Sequence, residues 1–234
     1  MYTILVCDDD PDIVSALEIY LGSEGYKTVA AYNGKEALRI AAEQEIHLIL
    51  MDIMMPELDG MRATSKLREG SNVPIILLTA KSEDSDKILG LNIGADDYIT
   101  KPFNPLEVIA RVKSQLRRYT SLGGAGGAAG GGSVLSAGPI SMDDGAKVVT
   151  VDGEPVSLTP LEYNILKLLL SNPGQVFSSA QIYEHVWNDP VYGSENTVAV
   201  HIRHLREKIE INPAEPRYLK VVWGLGYKIE KGAV

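Results

Sequence analysis

Five short apolar segments alternate with five amphipathic stretches in the first half of this chain, and that alternation limits the fold more than any other feature. The apolar segments lie near residues 2–7, 27–32, 46–51, 74–79 and 96–100, and the stretches with helical periodicity near 11–23, 34–43, 59–68, 84–93 and 104–119. Strands joined by helical crossovers run parallel, and the crossing helices cover both faces of the sheet. The third segment, Ile46-His47-Leu48-Ile49-Leu50-Met51, is apolar almost throughout and is followed by Asp52, with Pro56 shortly after. It lacks the period-two alternation of a half-exposed strand, so it reads as a strand buried on both faces. The fold class expected for residues 1–121 is therefore α/β, a five-stranded doubly wound parallel sheet. A flavodoxin-like strand order is adopted by analogy with other sheets of this kind.

Ligands of such sheets bind beyond the carboxyl ends of the strands. Here those ends carry reactive groups. Asp8, Asp9 and Asp10 follow the first strand, Asp52 ends the third, Thr79 ends the fourth and Lys101-Pro102 follows the fifth. A carboxylate buried at a strand end needs a partner, and clustered carboxylates repel one another unless a cation lies among them. Oxygen donors favour Mg²⁺, which keeps some waters and also binds phosphate. Beside a cation Asp52 stays ionised and can act as a nucleophile toward a phosphoryl group. Lys101 would offset charge on the transferred oxygens, and Thr79 would hydrogen-bond to one of them. Asp10 and Asp12 read instead as helix-cap or first-turn acids, and Cys7 as a small core residue.

Residues 122–133 form a Gly/Ala run that cannot bury a core; as a flexible coil it would span about 20 Å. The pattern after it is different. Short β-like pieces from Val134 to Leu158 are broken by Gly138-Pro139, Asp143-Asp144-Gly145 and Asp152-Gly153. A first helix opens on Thr159-Pro160-Leu161-Glu162, a capping box with proline at the first helical position, and stops at Asn172-Pro173-Gly174. A second opens on Ser178-Ser179-Ala180-Gln181, another capping box. A third carries Val198, Ile202, Leu205 and Ile209 on one stripe. A hairpin is expected over 219–229. Three helices followed by a hairpin fit an α+β winged helix-turn-helix spanning 134–234.

The net charge of −9 argues against a nucleic-acid partner, but its distribution does not. Residues 134–200 hold two basic and eight acidic side chains, whereas 201–234 hold seven basic and four acidic. Local sign governs attraction to an anion. The face of the third helix opposite its apolar stripe carries Asn196, Val200, Arg203 and Glu207, flanked by Ala199 and His204, and suits the major groove of double-stranded DNA. The candidate DNA contacts further include Thr197, His201 and Arg206 on that helix, and Trp223, Tyr227 and Lys228 on the hairpin. No apolar stretch approaches the roughly 18 residues of a membrane span, and the N-terminus lacks a signal-peptide pattern. With a single cysteine, these features predict a cytoplasmic protein with no membrane partner.

Four segments together carry a specific resemblance. They are Ile4-Leu5-Val6-Cys7-Asp8-Asp9-Asp10, Met51-Asp52-Ile53-Met54-Met55-Pro56, Leu78-Thr79-Ala80, and Gly94-Ala95-Asp96-Asp97-Tyr98-Ile99-Thr100-Lys101-Pro102-Phe103. With them, residues 1–119 resemble a response-regulator receiver domain and 134–231 the effector of the OmpR/PhoB winged-helix family. Val200 to Lys208 and Val222 to Ile229 are similar to the vancomycin-resistance branch. The resemblance implies that Asp52 accepts a phosphoryl group from a sensor histidine kinase. It implies Mg²⁺ bound by Asp9, Asp52 and the backbone oxygen of Met54, with Asp8 acting through water. Thr79 and Tyr98 would form the switch pair, Lys101 would contact the phosphate, and the Lys101–Pro102 bond would be cis. Phosphorylation would drive a symmetric homodimer pairing Lys87 with Glu107 and Asp97 with Arg111. The dimer would regulate transcription at repeated half-sites, and residues 191–195 would touch RNA polymerase. Relatives often carry arginine where this chain has Asn196 and Trp223. Two other readings compete. An aspartyl-phosphate phosphohydrolase would use Asp8-x-Asp10, but Pro11 and Asp12 follow where that chemistry needs a Gly-Thr-like loop. A phosphorylation-independent DNA-binding regulator would have no use for the acidic residues.

Overall fold

The computed structural model describes residues 1–80, 93–123, 134–187 and 195–231. Positions 84–92 of the helix expected near 84–93, with Lys87, lie outside the described residues, as do positions 124–133 of the linker and 191–194 of the proposed polymerase loop. The chain divides into two compact units, Met1–Thr120 and Ser121–Val234.

In the first unit β1 (Thr3–Cys7), β2 (Lys27–Ala31), β3 (Leu48–Asp52), β4 (Ile75–Ala80) and β5 (Asp97–Lys101) form one sheet in the order β2-β1-β3-β4-β5. Every pairing is parallel. Ile4, Val6, Leu48, Leu50, Ile76, Leu78 and Ile99 pack on one face with α1 (Pro11–Ser23) and α4 (Pro105–Gly123). Leu5, Cys7, Ile49, Met51, Ile75 and Leu77 point the other way and are just as buried. Successive strand residues face opposite sides, so burial of both sets explains the unbroken apolar runs. Right-handed crossovers place α2 (Gly34–Glu43) and α3 (Gly60–Arg68) over that second face.

The register sets the chemistry. Cys7 lies beside Met51, Asp52 beside Leu78, and Ala80 beside Lys101, so the loaded strand ends share one rim. The strand order reverses between β1 and β3, which opens a crevice there. Asp10 caps α1, accepting the Asp12 N–H at 2.9 Å, and Pro11 follows at the first helical position. Beyond Asp52 the chain folds back so closely that a Cβ on Gly60 would overlap the Asp52 carbonyl; glycine is the residue that permits this return.

In the second unit β6 (Val134–Ala137), β7 (Ile140–Asp143), β8 (Val148–Val151) and β9 (Glu154–Pro155) form an antiparallel sheet in sequence order. Then come α5 (Pro160–Leu170), α6 (Ser179–Trp187), α7 (Glu195–Ile209) and a hairpin of β10 (Leu219–Val222) and β11 (Gly226–Ile229). Both expected capping boxes close reciprocally: Thr159 with Glu162, and Ser178 with Gln181. Leu161, Ile165, Leu169, Ile182, Val198, Ile202, Leu205, Leu219 and Ile229 share one core. Asp144, in the turn after β7, accepts from Lys147, Lys167 and the Tyr163 hydroxyl, each at 2.8 Å, which ties the sheet to α5.

Candidate functional site

The rim of the parallel sheet holds a cleft of about 520 Å³ lined by Asp8, Asp9, Asp10, Pro11, Ile13, Asp52, Met54, Ala80 and Lys101. Carboxylate oxygens of Asp8, Asp9 and Asp52 lie within 4.8 Å of one another. Asp8 is fully buried and Asp52 nearly so, while Asp9 is exposed at the mouth. Lys101 Nζ reaches between them, 2.6 Å from Asp8 Oδ2 and 2.6 Å from Asp52 Oδ1. The second Asp52 oxygen accepts the Met54 N–H at 2.9 Å, and Asp8 Oδ1 accepts the Asp10 N–H at 3.1 Å. The Lys101–Pro102 bond is cis.

Burial pushes the Asp52 carboxyl above its ordinary range, and the Lys101 hydrogen bond only partly offsets that. Burial opposes the Lys101 charge, but hydrogen bonds to Asp52 and Asp8 outweigh it and hold the ammonium above the usual lysine range. With all three carboxylates ionised, a single ammonium leaves two negative charges uncompensated at the rim. An all-oxygen donor set with that deficit fits a hard divalent cation. Cys7 plays no part in this chemistry: burial raises its thiol far above the ordinary value, and its Sγ lies 3.4 Å from Met55 Sδ.

Thr79 is buried at the same rim, with its hydroxyl donating to the Ala80 carbonyl at 3.1 Å. Tyr98 is half-buried on β5. Asp97 and Glu107, expected to pair across a dimer, both engage Arg111 of their own chain. Arg111 Nη1 lies 3.0 and 2.8 Å from the two Asp97 oxygens, and its Nε lies 3.1 Å from Glu107 Oε1. Asp10, the second acid of the phosphohydrolase reading, is occupied with helix capping.

On α7 the structure corrects part of the DNA-facing set. Thr197, Val200 and His201 are buried, with the His201 ring 5.6 Å from that of Trp187. The helix packs against both α5 and α6, so its buried arc is wider than the single stripe of Val198, Ile202, Leu205 and Ile209 suggested. Arg206 is also diverted: its Nε and Nη2 donate to the Leu219 carbonyl at 3.0 and 2.9 Å. Ala199, Arg203 and Glu207 are exposed and His204 is half-buried; Arg203 pairs with Glu207 at 3.0 Å. The side chain of Asn196 lies outside the described set. On the hairpin Trp223 is 89% exposed at the turn. Tyr227 is half-buried and bridges to Phe177, while Lys228 pairs with Glu230 at 3.1 Å.

Sequence reasoning missed Glu210. It is 8% exposed and accepts the backbone N–H groups of Arg217, Tyr218 and Leu219 at 2.6, 2.8 and 2.7 Å. One signal was available: a carboxylate at a helix C-terminus opposes the helix dipole, so its presence there asks for a reason.

The two units define a class: a phospho-receiver with an acidic pocket, followed by a winged-helix DNA-binding domain. Comparison with known proteins agrees. The family described as response regulator receiver domain matches residues 4–113, and that described as transcriptional regulatory protein, C terminal, matches residues 153–229. The regulatory protein VanR of Enterococcus faecium is 44% identical over 229 residues, covering 97% of this chain and 98% of that protein. The sensory transduction protein RegX3 of Mycolicibacterium smegmatis is 38% identical over 98% of this chain and all of its own length. Among solved structures, the response regulator DrrB of Thermotoga maritima, an OmpR/PhoB homolog, is 31% identical with a TM-score of 0.51, covering 99% of this chain and all of that one. The chain belongs to the OmpR/PhoB family of two-component response regulators. As such it is a transcription regulator rather than an enzyme, and its class implies a histidine kinase and DNA as partners. No helix among the described residues is long and apolar enough to cross a membrane.

Proposed function

We propose that Asp52 takes a phosphoryl group from a phosphohistidine of a sensor kinase, and that this modification controls DNA binding. The observation that carries the reading is the convergence of Asp8, Asp9 and Asp52 with Lys101 at one rim. An Asp52 carboxylate oxygen forms the new O–P bond as the P–N bond breaks, and the departing imidazole takes up a proton. Mg²⁺ held by Asp9, Asp52 and the Met54 backbone oxygen, with Asp8 acting through water, would supply charge compensation for the transferred oxygens. Lys101 then parts from Asp52 and turns to a phosphoryl oxygen, while its contact with Asp8 keeps it in place. Thr79 exchanges its bond to the Ala80 carbonyl for one to the phosphoryl group, and Tyr98 follows into the space that opens. Cytoplasmic phosphodonors and a DNA target require the chain to work in the cytoplasm.

Phosphorylation is further proposed to favour a receiver dimer in which Lys87, Asp97, Glu107 and Arg111 meet their counterparts. Arg111 would exchange own-chain partners for those of the second copy, so the gain per pair is small and sets register more than affinity. The effector reads repeated half-sites about one helical turn apart, with the exposed α7 face around Arg203 in the major groove and the Trp223 hairpin beside it. RNA polymerase would engage the segment near 191–195.

The test is a mass measurement after incubation with a small phosphodonor and Mg²⁺. One phosphoryl group is expected on the wild type and none on Asp52→Ala or Asp9→Ala. Undiminished uptake by Asp52→Ala at another aspartate removes the assignment.

A further inference from the structure

Two side chains at the end of α7, four residues apart and hence on one face, grip the start of the hairpin. Arg206 holds the Leu219 carbonyl through two donors. Glu210 holds the N–H groups of three successive residues, Arg217, Tyr218 and Leu219, with distances of 2.6, 2.8 and 2.7 Å. The Leu219 peptide groups are therefore fixed from both sides by the helix. A buried carboxylate is unfavourable unless its oxygens are filled, and bonds to an ionised acceptor are short and strong. The second hairpin strand is tied independently. Phe177 and Tyr227 exchange backbone bonds at 2.9 Å in both directions, and a Cβ on Gly226 would overlap the Phe177 carbonyl. The far end of the hairpin is free, with Trp223 89% and Leu225 64% exposed.

We infer that Arg206 and Glu210 are positioning residues that set the register of the hairpin along α7, so that Trp223 and the Arg203 face reach one DNA duplex together. Arg206, expected from the sequence to touch DNA, acts through the hairpin backbone instead. Trp223 enters as an apolar group at the edge of the adjacent groove, where aromatic and aliphatic side chains pack against sugars or wedge between base steps. This inference rests on the DNA-binding reading proposed above.

The experiment uses the full-length chain. A duplex is first selected from a random-sequence pool by the wild type; failure of any duplex to enrich would defeat the DNA reading itself. Affinities for the selected duplex are then measured for Trp223→Ala, Arg206→Ala, Glu210→Gln and the two doubles carrying Trp223→Ala, with thermal unfolding recorded alongside. Glu210→Gln keeps one carbonyl acceptor, so a folded variant is available even where full truncation is not tolerated. Trp223→Ala should weaken binding about tenfold, and Arg206→Ala and Glu210→Gln about fivefold or more, with each of the latter falling below about twofold once Trp223 is gone. Three outcomes overturn the inference. Equal losses in both backgrounds would place the effect in the helix or the fold. A salt slope lowered by about one unit in Arg206→Ala would make Arg206 a phosphate contact. Unchanged affinity in Trp223→Ala would leave the hairpin with no role to position.

Discussion

Removing the Lys101 ammonium tests the pocket before any phosphodonor is added. In the wild type it lies 2.6 Å from oxygens of both Asp8 and Asp52, whose side chains are 0% and 6% exposed, while its own is 21% exposed. Lys101→Ala leaves two buried carboxylates with a backbone N–H each, from Asp10 and Met54. Breaking a buried ion pair typically costs about 3–5 kcal/mol. The retained N–H bonds and the partial exposure of the lysine place this case at the lower end, about 3 kcal/mol. For a unit of this size that is roughly 10 °C in Tm. Trp187 and Trp223 both lie in the second unit, so circular dichroism of the backbone, rather than fluorescence, follows the receiver. A cation that binds the folded site restores stability, by about 2.7 kcal/mol at a hundred times its Kd, so Mg²⁺ should stabilise the variant more than the wild type. The sign of the pH effect is fixed by Asp52. Its carboxyl is raised in the folded state, so its contribution is full below the ordinary value of 3.8 and is lost as pH rises through the folded value. Without Lys101 that rise is larger, and the deficit should narrow as pH falls from about 7 to about 5. A deficit under about 1 kcal/mol, or one that neither Mg²⁺ nor acid reduces, would refute the claim that the ammonium holds these carboxylates.

Asp144 gives the opposite pH dependence in the effector. Burial raises its carboxyl, but hydrogen bonds from Lys147, Lys167 and Tyr163 prevail and hold it well below the ordinary 3.8. Its contribution is present above that value and lost as pH falls through the folded one. Asp144→Asn should cost about 2 kcal/mol at neutral pH, read by denaturant titration with Trp187 fluorescence, and the gap should close in acid; a pH-independent gap would contradict the assignment. Arg203→Ala should weaken binding to the selected duplex by about 1–3 kcal/mol if the guanidinium reads a base; if it meets only phosphate, the loss is uniform across sequences and the salt slope falls by about one unit. No loss at any salt concentration would remove α7 from the interface. Phosphorylation should shift the chain from monomer to dimer in sedimentation, and Arg111→Gln should reduce that shift; an undiminished dimer would take Arg111 out of the contact.

The alternation of apolar runs with helical periodicity was enough to determine the parallel sheet, because strands buried on both faces leave no polar positions between their apolar ones. The pocket residues were legible for a related reason. A charged group directly after a buried strand has nowhere to go but the rim, so Asp8, Asp9, Asp52 and Lys101 could be named from position alone. The capping boxes at Thr159 and Ser178 were equally local. What the sequence could not decide was which side of α7 meets solvent. Its apolar stripe was visible, but the width of the buried arc depends on how many elements press against it; α5 and α6 both pack on this helix, and Thr197, Val200 and His201 are buried as well. The same limit hid the roles of Arg206 and Glu210, whose partners lie 7 to 13 residues away along the chain. Those partners are backbone groups at the entry to β10, and backbone groups carry no sequence mark of their own. Arg111 makes the point again: its bond to Asp97 exists only because β5 and α4 are brought together. Periodicity records which face of an element is apolar, and only tertiary packing decides how much of the remainder is also covered and which polar groups meet there.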